Sequence, residues 1–346
     1  MPKYKKPSAE TGLFDSFYRS EDLKKKPTSL DKLNDRIDWE SFRKSLEVHL
    51  EYAHSKDGGR PPFDPVFMFK VIVLQKYYGL SEEETEFQIL DRFSFQRFLG
   101  MSLSDDVPDK NTIWLFKERL GSEGVQALFD EFESLLEDCG LTSTKGKIVD
   151  ASFVDVPKQR NNHDENAKIK EGEVPEEWED NTHKLCQKDT DARWMTKNGQ
   201  RHFGYKNHIK INRKTKLIET YSVTDACTHD SQAMEGLIDE DRDGEMFADS
   251  AYSGEPIRQM LSAKKIKSRI NEKGYRNNPL TDKQISLNQT KSKIRARVEH
   301  VFGFMENNMS ANKIRSIGKE RANRSIGLGN LIYNFFRFTQ LNYTMI

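Results

Sequence analysis

The segment KIVDASFVD, at residues 147–155, is a short run in which apolar residues surround one acidic residue, Asp150. A run of this length after Gly146 predicts a buried central strand from Lys147 to Val154. An ionised carboxylate costs several kcal/mol to bury unless it is paired, hydrogen-bonded or bound to a cation. Asp150 is therefore a candidate site residue.

The region that follows predicts a defined order of elements. Strands at 202–211 and 217–223, separated by a turn, predict a hairpin after a polar stretch at 157–200. The remaining elements are a helix at 231–238 with Asp230 as N-cap, a strand ending at Asp249, a helix at 256–263, a weak strand at 266–270 and a helix carrying Glu299. This is the order of an RNase H-like domain. We predict an α/β fold, an RNase H-like mixed sheet with flanking helices, preceded by a mainly helical N-terminal domain.

The segment KSKIRARVEHVFGFM, at residues 291–305, predicts one amphipathic helix with an apolar stripe facing a core. Glu299 lies just off that stripe, and Arg295 lies one turn before it, where an i, i+4 pair can orient the carboxylate. Taken alone, this spacing is more typical of an exposed ion pair on a helix surface, which contributes little to stability. Asp249 ends its strand, where open sheets often carry catalytic groups, and with Asp150 it favours a site.

Five segments in order resemble the DDE transposases of bacterial insertion sequences: GKIVDASFVDVPKQR, DARWMTKNGQRHFGYKNHIKI, VTDACTHDSQAM, MFADSAYSG and KIRARVEHVFGFM. The resemblance extends into the N-terminal half through GGRPPFDPVFMFK and VPDKNTIWLFKERL. It implies that Asp150, Asp249 and Glu299 are the catalytic and metal-binding Asp-Asp-Glu triad, with Arg295 as the arginine before the glutamate. One position departs from the family, because Glu306 stands where a lysine is usual.

Three carboxylates suit metal-dependent phosphodiester chemistry. Two hard divalent cations roughly 3.5–4 Å apart activate the attacking oxygen and stabilise the leaving one. Mg²⁺ prefers oxygen ligands, and we expect Mn²⁺ to substitute for it. We therefore expect a transposase that cuts the ends of its element and joins them to target DNA. The alternatives are a catalytically decayed transposase acting as a DNA-binding repressor, and a metal-dependent nuclease that never joins strands.

The distribution of charge predicts a polyanionic partner. The chain has 55 basic and 55 acidic residues, yet residues 261–346 hold 17 Lys or Arg against 5 Asp or Glu. Such a basic segment can follow a phosphate backbone. We expect terminal inverted repeats and target DNA to contact Arg295, Lys206, Lys291, Lys293, Arg297, His208 and Tyr252. For His208, ordinary packing on a half-buried strand fits the pattern at least as well.

The predicted organisation has a mobile segment at 1–29, a helical DNA-binding domain at 30–141, and the RNase H-like catalytic domain at 142–346 with a polar insertion at about 157–200. Short helices joined by tight turns fit a helix-turn-helix, and equally a bundle that touches no DNA. In the first case the DNA contacts would be Lys110, Thr112, Trp114 and Lys117. Without a signal peptide or a long apolar run, we expect a cytoplasmic protein, nucleoid-associated when bound to DNA. We also expect a homo-oligomer on DNA.

Overall fold

The computed structural model describes Gly12 and residues 14–50, 61–142, 146–197, 199–240 and 243–341. The predicted mobile segment at 1–29 lies partly outside these residues, at 1–11 and 13, and its described part contains a helix. Among the helices described, none combines the length and the apolarity needed to cross a bilayer.

The N-terminal half is mainly helical, as predicted. Its helices are α1 (Asp15–Lys24), α2 (Ser29–Arg36), α3 (Arg43–Leu50), α4 (Pro65–Tyr77), α5 (Glu82–Asp91), α6 (Phe93–Leu99) and α7 (Lys110–Asp138). Local sequence sets several of their ends, since Ser81 caps α5 by accepting from the Glu84 N–H at 3.1 Å. Gly100 ends α6 in the left-handed conformation, with φ of 73°.

A mixed sheet forms the second half, which confirms the predicted fold class. Its strands are β1 (Lys147–Asp155), β2 (Arg193–Lys197), β3 (Gln200–Asn212), β4 (Ile218–Asp225), β5 (Glu245–Phe247) and β6 (Lys267–Ser268). β3 pairs antiparallel with one edge of β1, and β5 pairs parallel with the other, so β1 is central. β2 and β4 pair with successive stretches of the far edge of β3, and β3–β4 is the predicted hairpin.

The sequence pattern does not predict β2, which lies in the polar insertion. Trp194 of β2 packs on Phe203 of β3, with ring centroids 4.9 Å apart. Elsewhere in the insertion, the buried Trp178 donates its indole N–H to Glu165 at 2.8 Å. The insertion therefore folds around a few aromatic and hydrogen-bonded anchors, with short helices α8 (His163–Glu171), α9 (Glu176–Glu179) and α10 (Thr182–Leu185).

Two helix predictions in the second half are wrong. Residues 231–238 form two 3₁₀ turns instead, because Gly236 weakens a helix, and His229 rather than Asp230 caps the first turn. Residues 291–305 form two helices joined by a tight turn at 296–298. In that turn the Val298 N–H bonds to the carbonyl of Arg295 at 2.9 Å, a three-residue spacing typical of 3₁₀ structure. The helices of this half are α11 (Glu255–Ala263), α12 (Asp282–Arg295), α13 (Glu299–Met309) and α14 (Lys319–Gln340).

The last helix, α14, joins the N-terminal helices to the sheet. Phe335 of α14 is fully buried, and its ring centroid lies 4.7 Å from that of Phe132 in α7. On the sheet side, the Asn334 side chain bonds to the N–H and the carbonyl of Ile218 at 2.8 and 2.7 Å. One continuous apolar cluster therefore runs from the N-terminal helices to β1 and β3. The division into domains at 141 and 142 stays a prediction.

Candidate active site

Asp150 lies in the middle of β1, opposite Ile209 of β3. Its side chain is 13% exposed. One carboxylate oxygen accepts a hydrogen bond from the Ala151 N–H at 2.9 Å, and the other is bound by the guanidinium of Arg295. The buried acid thus has a cationic partner that comes from α12, far away in sequence.

Asp249 lies two residues after the last residue of β5, Phe247. Its carboxylate accepts from the Ala251 N–H at 2.8 Å and so caps the 3₁₀ turn Ser250–Tyr252. Ile148 of β1 pairs with Phe247 of β5 in a parallel register. Asp249 lies two residues beyond Phe247, as Asp150 lies two residues beyond Ile148, and its negative charge acts on Asp150.

Glu299 is the first residue of α13, and its side chain is 63% exposed. Arg295, the last residue of α12, holds one guanidinium nitrogen 3.6 Å from the Glu299 carboxylate. The same nitrogen binds Asp150. The predicted pair of Arg295 with Glu299 therefore exists although the helix is interrupted, and Arg295 links two of the three acids.

The charges of the three acids act on one another. Burial raises the pKa of Asp150 from 3.8 to about 6. The positive charge of Arg295 opposes this rise, whereas the negative charges of Asp249 and Glu299 add to it. Three acids and one arginine, remote in sequence, thus share one electrostatic neighbourhood.

The donor set of this neighbourhood fits a hard divalent cation. Among the residues described, no three Asp, Glu, His or Cys side chains are arranged to hold a metal ion together. All three acids offer carboxylate oxygens, the ligands that Mg²⁺ prefers. A cation would also offset the repulsion that raises the pKa of Asp150. Asp150, Asp249 and Glu299 are the residues that would hold it.

Three of the predicted DNA-binding residues, Lys206, His208 and Tyr252, are buried rather than presented on the surface. The Lys206 ammonium donates to Asp230 at 2.8 Å. His208 is hydrogen-bonded to Thr224 at 2.9 Å, and burial lowers its pKa to about 4, so the ring is neutral at pH 7. The DNA contacts of these three residues stay predictions.

Asp230, which sequence reasoning assigned only to a helix cap, lies near the candidate site. Besides pairing with Lys206, its charge adds to burial in raising the pKa of Tyr252, as do the charges of Asp150 and Asp249. The Tyr252 hydroxyl is buried and has no hydrogen-bond partner among the described residues. Asp230 follows a polar turn rather than an apolar strand, so no local pattern marks it.

The basic segment around Glu299 is partly exposed. Lys293 and Arg297 are exposed, and Lys291 donates to the carbonyl of Ile270 at 2.9 Å. Glu306, which replaces the lysine usual in the family, accepts from the Asn312 side chain at 2.7 Å. The carboxylate at this position thus helps to hold the loop that follows α13.

The raised pKa of Asp150 predicts a pH-dependent gain in stability for Asp150→Asn. The folded protein holds this proton to a higher pH than the unfolded chain, so ionisation between about pH 4 and 6 destabilises the fold, and the penalty is complete above pH 6. The rise from 3.8 to about 6 corresponds to at most about 3 kcal/mol. In urea unfolding with a metal chelator, we expect the variant to be more stable at pH 7.5 and equal to the wild type below pH 4. If the variant is less stable at pH 7.5, the stabilisation from the ion pair of Asp150 with Arg295 is larger than the cost of burying the ionised carboxylate.

Comparison with known proteins identifies the family of this chain. The sequence profile of the transposase DDE domain matches residues 142–335, more than half of the chain, and that of the transposase domain DUF772 matches residues 18–119. Among solved structures, a piggyBac transposase in a synaptic complex with hairpin DNA is similar over 91% of this chain and 75% of that chain, at 10% identity and a TM-score of 0.48. By its profile match, this chain belongs to the family of DDE transposases found in bacterial insertion sequences.

Proposed function

We propose that this transposase cuts the ends of its element and joins them to target DNA, using two Mg²⁺ or Mn²⁺ ions held by Asp150, Asp249 and Glu299. One observation carries the proposal: Arg295 contacts both Asp150 and Glu299, while the charge of Asp249 acts on Asp150. A two-metal site needs carboxylates from distant parts of the chain, and ion binding would have to bring the three side chains within ligand distance of one another.

In the proposed assignment, Asp150 and Asp249 share one ion and Glu299 binds the second. The bound ions supply an activated oxygen nucleophile and stabilise the leaving oxygen. The chain contributes position, because adjacent strands β1 and β5 fix the two aspartates relative to each other. Glu299 is exposed at the start of α13, so its side chain has room to adjust. The nucleophile is water or a DNA 3′-hydroxyl, and no covalent bond forms between enzyme and DNA.

Arg295 is proposed to orient Glu299 and to bind a phosphate oxygen. Its Nε atom is buried and has no hydrogen-bond partner among the described residues. One N–H donor of the guanidinium group therefore has no partner among the described residues, whereas another nitrogen of the group contacts the acids.

Exposed cations beside the acids are proposed to bind the DNA backbone, at the terminal inverted repeats and the target. Lys293 lies near the end of α12, Arg297 lies in the turn between α12 and α13, and both are exposed. Each phosphate contact made by a cation contributes about 0.9 to the slope of log affinity against log salt. We expect Lys293→Ala with Arg297→Ala to reduce that slope by roughly 2 in a fluorescence anisotropy titration from 50 to 200 mM salt.

The matched control for this prediction is Lys168→Ala with Lys170→Ala. Both lysines lie on α8, in the polar insertion and outside the turn that carries Glu299. This pair should leave the slope unchanged. Equal losses from both double variants would mean that only the total charge of the protein matters.

The direct test of the proposed function is the analysis of reaction products. The full chain is incubated with Mg²⁺, a labelled DNA containing the sequences that flank its gene, and a target plasmid. We expect cleaved ends and joined molecules with a target duplication of fixed length. Cleavage without joining would identify a nuclease, and binding without cleavage in Mg²⁺ or Mn²⁺ would identify a repressor, so either result would reject the proposal. The same DNA followed by native mass spectrometry tests the proposed homo-oligomer.

A further inference from the structure

A cavity of about 630 Å³ lies between the N-terminal helices and the loop that follows α13. Its walls come from the end of α4, the starts of α5 and α7, residues 309–317 and the first half of α14. None of the three acids lines it. Ligand sites that enclose a small organic molecule have volumes of about 300–1,000 Å³, so the cavity is large enough for one nucleotide.

The lining carries more positive than negative charge. It contains six cations, Lys76, Lys117, Lys313, Arg315, Arg321 and Arg324, and two carboxylates, Glu82 and Glu118. Both carboxylates are already paired, Glu82 with Lys117, and Glu118 with Arg321 and Arg324. Lys76, Lys313 and Arg315 are the lining cations that pair with neither carboxylate.

These remaining cations are placed to receive an anion. Lys313 and Arg315 are both exposed, and no ion pair is found for either among the described residues. The Lys76 ammonium bonds to the hydroxyl of Ser325 at 2.5 Å. Burial, together with the charges of Lys117 and Arg324, lowers the pKa of Lys76 to about 7. An anion in the cavity would reverse this effect by favouring the charged ammonium.

An aromatic side chain lies at the same cavity. Trp114 lines it and is 46% exposed, which is unusual for the largest apolar side chain. Trp114 lies one turn before Lys117 on α7. Exposed aromatic rings beside cations are the features with which proteins hold unpaired nucleotides, since a base stacks on the ring and the phosphate meets the charge.

The cavity is also joined to the candidate active site. The Asp155 N–H at the end of β1 donates to the carbonyl of Asn312 at 2.9 Å, and the Ile314 N–H donates to the carbonyl of Asp155 at 3.0 Å. Asp155 follows Asp150 by five residues of strand, a distance of roughly 16 Å. A strand of duplex DNA advances about 3.4 Å per nucleotide, so roughly five nucleotides would span that distance.

We propose that this cavity holds one unpaired nucleotide of the DNA whose cleavage site lies at the three acids, with its base on Trp114 and its phosphate on Lys313 and Arg315. The inference rests on the proposed function, because it requires that the chain binds DNA. It assigns to the transposase a second DNA site, which recognises a strand outside the double helix.

The experiment compares two probes with the full chain in a metal chelator, so that no cleavage occurs. One probe is a blunt duplex of 20 base pairs, and the other is the same duplex with a single-stranded 3′ extension of five dT nucleotides. We expect the wild type to prefer the extended probe. Trp114→Ala should weaken binding of the extended probe about tenfold and of the blunt probe less than twofold, whereas Trp114→Phe should retain most of the preference.

The charge component is measured on the same probes. Lys313→Ala with Arg315→Ala should reduce the salt slope for the extended probe by roughly 1.4, as expected for two contacts to a single strand. The controls are Phe87→Ala, an exposed aromatic of α5 outside the cavity, and the lysine pair of α8. Circular dichroism melting checks that each variant folds.

The outcomes separate this inference from the function on which it rests. If Trp114→Ala binds the extended probe as tightly as the wild type, or weakens both probes equally, the cavity holds no unpaired nucleotide, and the proposed function is untouched. If the wild type binds neither probe, both the inference and the proposed function fail.

Discussion

Replacing Asp150 by Asn is expected to lower the rate of Mg²⁺-dependent nicking of the DNA that flanks the gene by roughly 10³-fold. The substitution keeps the shape of a buried side chain and removes one of three carboxylates proposed to hold the metal ions. Losing a ligand that stabilises the transition state by about 4 kcal/mol gives this factor. Single-turnover nicking, followed by gel electrophoresis at saturating enzyme, measures the chemical step directly.

The matched control for this experiment is Asp180→Asn. Asp180 is exposed and lies in the polar insertion, so the control removes one negative charge without touching the candidate site. It should nick DNA at the wild-type rate. The urea unfolding of Asp150→Asn described above checks that any lost activity does not come from unfolding. Undiminished nicking by Asp150→Asn would refute the assignment of the site.

Phe335→Ala is expected to destabilise the whole chain by about 3–5 kcal/mol, the usual cost of removing a buried aromatic ring. The Phe335 ring is fully buried, and its centroid lies 5.6 Å from Trp39, 5.7 Å from Phe42, 6.0 Å from Phe69 and 4.7 Å from Phe132. All four partners belong to the N-terminal half, whereas Phe335 lies in α14. The cavity left by the truncation therefore weakens the contact between both halves.

Urea unfolding monitored by circular dichroism and by tryptophan fluorescence tests this second prediction. Because the halves share one core, we expect a single transition that moves to lower urea with both probes. Phe87→Ala removes an aromatic ring that is 57% exposed and should shift the midpoint little. Two separate transitions, with only one affected, would show that the predicted domains at 30–141 and 142–346 unfold independently.

The sequence by itself determined most of the order of the strands and helices, and it identified the three candidate acids. Apolar runs mark β1 and β5, because buried strands must exclude water along most of their length, whereas a turn between two extended segments marks β3 and β4. An acid inside such an apolar run, or just after it, differs from its apolar neighbours, and this contrast identifies Asp150 and Asp249 as candidate site residues. Glu299 depended on the family resemblance, since an exposed helical carboxylate beside an arginine is common on protein surfaces.

Only the tertiary structure decided which partners these residues have. Local pattern assigned Arg295 to Glu299, but Asp150, which is 145 positions away along the chain, also takes its guanidinium. Tertiary structure alone also shows that β2 pairs with β3, although β2 has no apolar stripe. It likewise shows the ion pair of Asp230 with Lys206 and the cavity beside Trp114. Periodicity reports which face of an element is buried, whereas the contacts of a polar side chain depend on how separate elements pack. The sequence therefore predicts which acids are candidates for the site, whereas the packing of separate elements determines which side chains surround those acids.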